Sequence, residues 1–219
     1  MTGLLIKDIL VSLKTLKAYA TMMGFYVLMS LLDIFPLGFA ASFISVMMVM
    51  LPIGAFAYDE AAKWDRYALS LPLKRDQIVA GRYAYSLLTV LSALAFTCFA
   101  SLLLAQFKEI DLLEVLSSAV ISTGLGLLLA DILLPLSYQL GPERARPYLY
   151  SIIFVPIIAL FLAARAGLLQ HIDLSWLDRI AQTSPAAVLG VFSLVPLLGL
   201  AGMLISFPVS CRILTRKEV

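Results

Sequence analysis

Residues 58–83 read YDEAAKWDRYALSLPLKRDQIVAGRY, the one long polar interruption in a mostly apolar chain. Nine of the thirty charged residues fall in these 26 positions: Asp59, Glu60, Lys63, Asp65, Arg66, Lys74, Arg75, Asp76 and Arg82. The sequence on either side comes in apolar runs long enough to cross a bilayer, about 20 residues each. If those runs lie in lipid, residues 58–83 are the part that meets water, and the rest of the chain serves to hold them.

Composition supports that reading. Hydrophobic residues make up 62% of the 219 and charged residues only 14%, with a mean hydropathy of +0.98, well outside the usual range of soluble domains. The length accommodates about six spans and leaves no room for a separate soluble catalytic domain, so we read residues 1–219 as a single membrane domain. A net charge of +2 implies no nucleic-acid partner. Cys98 and Cys211 both lie in apolar runs and read as packing residues, in neither a disulfide nor a metal site. No short apolar core followed by a small-x-small cleavage site opens the sequence, so no removable signal peptide is expected.

The expected fold is all-α, with six transmembrane helices, an N-terminal interfacial helix and a cytoplasmic helix between spans 2 and 3. Residues 1–19 carry Lys7, Lys14 and Lys17 on one face and Ile6, Ile9, Leu13 and Leu16 on another. That pattern suits either a helix lying among anionic headgroups or a basic flank that sets topology. Spans follow at 20–32, closing at the turn Asp33-Ile34-Phe35-Pro36, and at 37–57, 83–107, 115–140, 148–164 and 185–211. Residues 141–147 form a basic turn, 165–184 an external amphipathic segment, and 212–219 a basic tail. With both termini inside, thirteen Lys and Arg fall on the cytoplasmic side and only Lys108, Arg165 and Arg179 outside, a split that sets orientation.

Within the polar stretch, residues 58–69 can form a helix with Asp59 and Lys63 paired at i, i+4 and with Trp64 and Tyr67 at headgroup level or in a partner's pocket. Pro72 disfavours the α region at Leu71, and a second helix starts near Lys74. This gives a helix, an elbow and a helix at the membrane surface. The plainer alternative is a loop with aromatic anchors.

These residues resemble the cytoplasmic segment after the second span of small bacterial ABC-2 type permeases, those with six spans and no fused ATPase. Asp59, Glu60, Trp64, Leu71, Pro72, Arg75, Ile78 and Val79 match that pattern, and the opening LLIKDILVSLKTLKAY is similar to the family's entry helix. Lys74 departs from it, standing where a hydroxyl residue that can cap the next helix is frequent, and Arg82 stands where lysine is common. The resemblance implies the transmembrane permease subunit of an ATP-binding cassette exporter in the bacterial cytoplasmic membrane. It implies an ABC ATPase dimer as partner, with ATP and Mg bound there and no cofactor on this chain, and a second permease chain, identical or paralogous. It assigns coupling to the ATPase to Asp59, Glu60, Lys63, Trp64, Asp65, Arg66, Tyr67, Pro72, Lys74 and Arg75, the aromatics serving as buried anchors. The sequence contains no GxxxxGK[ST] loop, so the chain is expected to be a transport subunit and not an enzyme. A peptide or other amphipathic cargo fits an apolar pathway. The alternatives are the membrane-embedded binding module of an importer and an intramembrane enzyme, although no GxSxG or HExxH occurs.

Asp131 is the only acid well inside an apolar run. An intramembrane carboxyl is a functional candidate, as a proton or cargo contact, or else it makes a packing hydrogen bond to a serine or tyrosine. Ser118, Ser122, Gly126 and Ala130 recur every four residues and form a ridge that admits a close helix neighbour, within the chain or between chains, or else lines a cargo groove. His171, the only histidine, reads as a surface residue.

Overall fold

The computed structural model describes residues 2–64, 67–68, 74–106, 112–166 and 185–216. Helices account for nearly all of it: α1 (Thr2–Leu31), α2 (Leu37–Ala61), α3 (Arg75–Leu104), α4 (Leu112–Leu140), α5 (Pro142–Arg165), α6 (Pro185–Phe192) and α7 (Leu194–Arg216). Among the described residues, α2, α3, α4, α5 and the stretch Leu189–Arg216 are long and apolar enough to cross a bilayer. α1 is not among them, because Lys7, Asp8, Lys14 and Lys17 crowd its first half.

The interfacial helix expected at 1–19 and the span expected at 20–32 form one continuous 30-residue helix. Nothing between Tyr19 and Thr21 stops a helix, and the amphipathic and apolar halves join without a glycine or proline. α1 ends where expected. Asp33 takes a positive φ of 60°, a conformation that a short polar side chain tolerates, and the Ile34 amide donates to the Met29 carbonyl at 3.0 Å.

The other boundaries also follow local chemistry. α2 stops after Ala61, where Lys63 adopts φ 51°. α3 begins at Arg75: the Gln77 side chain accepts from the Lys74 amide at 3.2 Å, and Asp76 sits in the first turn, where a negative charge suits the helix dipole. The basic turn expected at 141–147 reduces to Gly141, whose φ of 84° turns the chain; α5 starts at once, with Pro142 in its first turn, a position that needs no amide donor. The last span is interrupted at Ser193, between α6 and α7.

α2, α3, α4 and α7 share the main apolar core, with Val49, Phe56, Val79, Val90, Leu133 and Leu134 among its buried members. A second cluster of Met23, Ile44, Met48, Leu51 and Ala93 fastens the outer half of α1. α5 buries almost nothing against the bundle and exposes Phe154, Val155, Ile157, Leu160 and Phe161, a surface suited to hydrocarbon rather than water. The starts of α1, α3 and α5 and the ends of α2, α4 and α7 meet at one end of the bundle. At the opposite end Tyr26 packs on Phe43 at 4.5 Å between ring centroids and Phe35 stacks on Phe39 at 5.3 Å.

Candidate functional site

The polar end of the bundle is built around a ring of four charges of alternating sign. The Lys7 ammonium donates to both Asp59 carboxylate oxygens, at 2.8 and 2.7 Å, and lies 3.0 Å from Asp8 Oδ1. Arg82 closes the ring. Its Nη2 donates to Asp59 Oδ2, and its Nη1 forms an ion pair with Asp8 Oδ1 at 3.1 Å. Asp8, Asp59 and Arg82 are each at least 94% buried, while the Lys7 side chain keeps a fifth of its surface open. Two positive and two negative charges cancel, so each ion has its counter-ions in contact, the condition under which buried charge is tolerated.

Two aromatic rings complete the enclosure. Phe56 lies 4.4 Å beneath the Arg82 guanidinium and the Trp64 ring 4.4 Å from the Lys7 ammonium, both within cation–π range. Trp64 in turn packs against Tyr67, with centroids 5.3 Å apart. Through this set the first turns of α1 touch the end of α2, the start of α3 and the connection between them.

Two further contacts draw in the remaining helices. Arg75 Nη1 donates to the carbonyls of Leu214 and Thr215, at 3.3 and 2.8 Å, covering the open C-terminal end of α7, where a cation is favoured. The Glu60 carboxylate lies beside Gly141. Phe56, Asp59 and Glu60 of α2 line a 50 Å³ cavity with Ser137, Tyr138, Gly141 and Pro142 at the α4–α5 junction.

The ten residues assigned to coupling thus separate. Asp59 is buried in the charge ring, and the local Asp59–Lys63 pair expected from spacing does not form: Lys63 leaves the helix in a left-handed conformation, while Asp59 faces Lys7 and Arg82 across the bundle. Lys7, read either as facing headgroups or as part of a basic flank, turns inward to Asp59 and Asp8. Arg75 is occupied by α7. Glu60, Lys63, Tyr67 and Lys74 are exposed, and Trp64 is half-buried. Asp65, Arg66 and Pro72 lie outside the described residues, as does His171.

Asp131 sits in the seam between α4 and α7, which run side by side in the same direction. Its backbone carbonyl accepts from the Ser206 hydroxyl at 2.6 Å, and Ser206 and Ser210 both bond the Tyr83 hydroxyl, at 2.6 and 2.8 Å. Of the two readings of Asp131, the packing bond from its side chain to a serine or tyrosine is not made; both carboxyl oxygens are buried without a hydrogen-bond partner. Ser118, Ser122, Gly126 and Ala130 face inward. Ser118 packs on Gly38, Ser122 shares a 2.8 Å hydroxyl contact with Ser42, and Gly126 receives Val49 and Val90. Gly199 and Gly202 on α7 match them on the other side of α4, against Leu127 and Asp131; their spacing of three was the signal for this second close approach. Sequence reasoning also missed Asp8, hidden in a segment read by its lysines.

A cavity of about 610 Å³ opens between α1, α2 and α5, lined by Tyr19, Met50, Ile53, Gly54, Tyr58 and Tyr150. Among the described residues, no three His, Cys, Asp or Glu side chains are placed to share a metal ion, and Cys98 and Cys211 are free thiols.

A family model described as ABC-2 family transporter protein matches residues 3–215, nearly the whole chain. No curated protein and no solved structure shows a significant match.

Proposed function

The chain belongs to the ABC-2 family of transporter proteins, and we propose from that membership that it is the permease subunit of an ATP-binding cassette exporter, coupled to a separate ATPase through residues 58–83. The observation that carries this reading is the concentration of helix ends and charge at one end of the bundle. Exposed Glu60, Lys63, Tyr67 and Lys74 stand there on a base held by buried Asp59 and half-buried Arg75. Surface charges give orientation on a partner, and an exposed aromatic gives the anchor on which interface energy concentrates.

The start of α1 and the end of α7 lie at this same polar end, which supports an even number of crossings between them. Six result when the outer half of α1, covered by Met23 and its cluster, crosses with Lys14 and Lys17 extended to the headgroups. Lys63, Lys74, Arg75, Arg144, Arg212 and Arg216 gather at this end, which favours placing it in the cytoplasm. Two such chains with an ATPase dimer complete the pathway in the bacterial cytoplasmic membrane, embedded in lipid, and the cargo is a peptide or another amphipathic molecule that tolerates an apolar route. ATP and Mg belong to the ATPase.

Affinity purification of the intact chain from its native membrane in mild detergent tests this. Recovery of an ABC ATPase whose hydrolysis follows the chain through purification is the expected result. A chain recovered with a tightly bound small molecule and no ATPase would instead indicate the binding module of an importer.

A further inference from the structure

We propose that Lys7, Asp8, Asp59 and Arg82 act as positioning residues that fasten the start of α1 to the end of α2, so that the two move as one body. As a statement about transport this rests on the permease reading above. As a statement about the chain it stands on the ring itself.

Little besides the ring holds the first half of α1. Its buried residues are Asp8, Ser12, Met23 and Ser30. From Thr2 to Leu13 no buried residue is apolar, although Leu4 makes a close contact with Gly81 on α3. Just beyond the ring, the space between α1, α2 and α3 opens into a crevice of about 420 Å³, bordered by Ile9, Leu16, Met48, Tyr85, Leu88 and Phe96. Apolar packing resumes with Leu16 and Tyr19, which lie half-buried against the cluster around Met23. α1 is therefore attached at two places, by charge near its start and by a hydrophobic cluster in its outer half, with looser packing between.

Charge is an unusual choice for the inner attachment. Apolar residues of similar volume would fill the site without the desolvation cost of four buried ions, so stability alone does not call for them. What an alternating ring supplies is register. Each cation must meet two particular carboxylates, one on α1 and one on α2, and a shift of one residue along α1 would bring like charges together. Lys7 carries the attachment further, because its ammonium also lies against Trp64 in the connection. A displacement of the end of α2 by a partner is thereby passed to α1 through Lys7, and to α3 through Arg82.

The test uses the full chain in lipid vesicles, with Cys98 and Cys211 replaced by serine and spin labels attached at Gly3→Cys and Ala62→Cys. Position 3 has open space for a side chain and position 62 is exposed. The expected result is a narrow distance distribution between the labels. It should become about twofold broader or bimodal, as a locally opened segment does, in Lys7→Met and in the double variant Lys7→Met/Asp59→Asn. The double variant removes one charge of each sign and leaves the Arg82–Asp8 pair, so it stays neutral where a single removal could fail to fold. A broad distribution in the parent chain, or a narrow one in the double variant, would overturn the proposal. Adding the ATPase with trapped nucleotide should leave the distance between the labels unchanged, and a changed distance would also overturn it. Failure of the ATPase to bind at all would refute the permease reading, while the distances in the chain alone would still judge the ring.

Discussion

Gly202 on α7 lies against the carboxyl group of Asp131 on α4, and a β-carbon at position 202 would collide with Oδ2. The two residues form a matched pair: the carboxyl occupies space in the helix seam that only glycine leaves open. Gly202→Ala is expected to push α4 and α7 apart and to destabilise the chain by about 1–3 kcal/mol, the usual cost of overpacking a core. Adding Asp131→Ala should recover part of that loss. Thermal midpoints of detergent-solubilised chain, read by loss of the monodisperse species, would check both.

The charge ring carries a different signature. Arg82→Met leaves Asp8 and Asp59 with Lys7 as their one counter-ion in a buried site, and removing one partner of a buried pair costs about 3–5 kcal/mol. Neutralising all four positions together should cost less than that single change, because no uncompensated ion remains. The same thermal assay distinguishes these outcomes, and equal losses in both variants would contradict the ring as described.

Arg75→Ala removes the Nη1 donor shared by the Leu214 and Thr215 carbonyls, a loss of about 1 kcal/mol at a partly exposed site. Faster hydrogen exchange of the amides at 212–216 is expected, with exchange in the core of α4 unchanged.

Gly141 has φ 84° and ψ 159°, a region essentially restricted to glycine, where another residue costs about 1–3 kcal/mol. An added β-carbon would also meet the Glu60 carboxylate at 3.2 Å. Gly141→Ala should lower the thermal midpoint, and Glu60→Ala in the same chain should relieve only the contact and not the backbone strain.

The sequence made the long apolar helices and their punctuation legible, because Pro36, Gly141 and the polar break after Tyr58 act over a few residues. α1 misled because composition changes along it while its hydrogen bonding does not. Asp59 misled for a related reason: a lysine four residues on satisfies a local rule, whereas Lys7 and Arg82 lie 52 and 23 residues away, and only the packing of three helices brings them together. The ridge Ser118–Ala130 could be recognised from its spacing, but which helix it receives depends on the fold. Asp131 stood out as an acid in an apolar run, and its relation to Gly202 required both helices.

The proposed permease requires an ATPase docked against exposed Glu60, Lys63, Tyr67 and Lys74. Tyr67, with 57% of its surface open and its ring against Trp64, is the residue best placed to meet it. The most direct measurement replaces Tyr67 with a photo-crosslinking phenylalanine in the intact complex and identifies what it captures. Capture of the ABC ATPase, with Tyr67→Ala weakening co-purification by about thirtyfold, equivalent to a hot-spot loss of about 2 kcal/mol, is the expected result. Crosslinks to lipid alone, with undiminished ATPase binding by Tyr67→Ala, would contradict it.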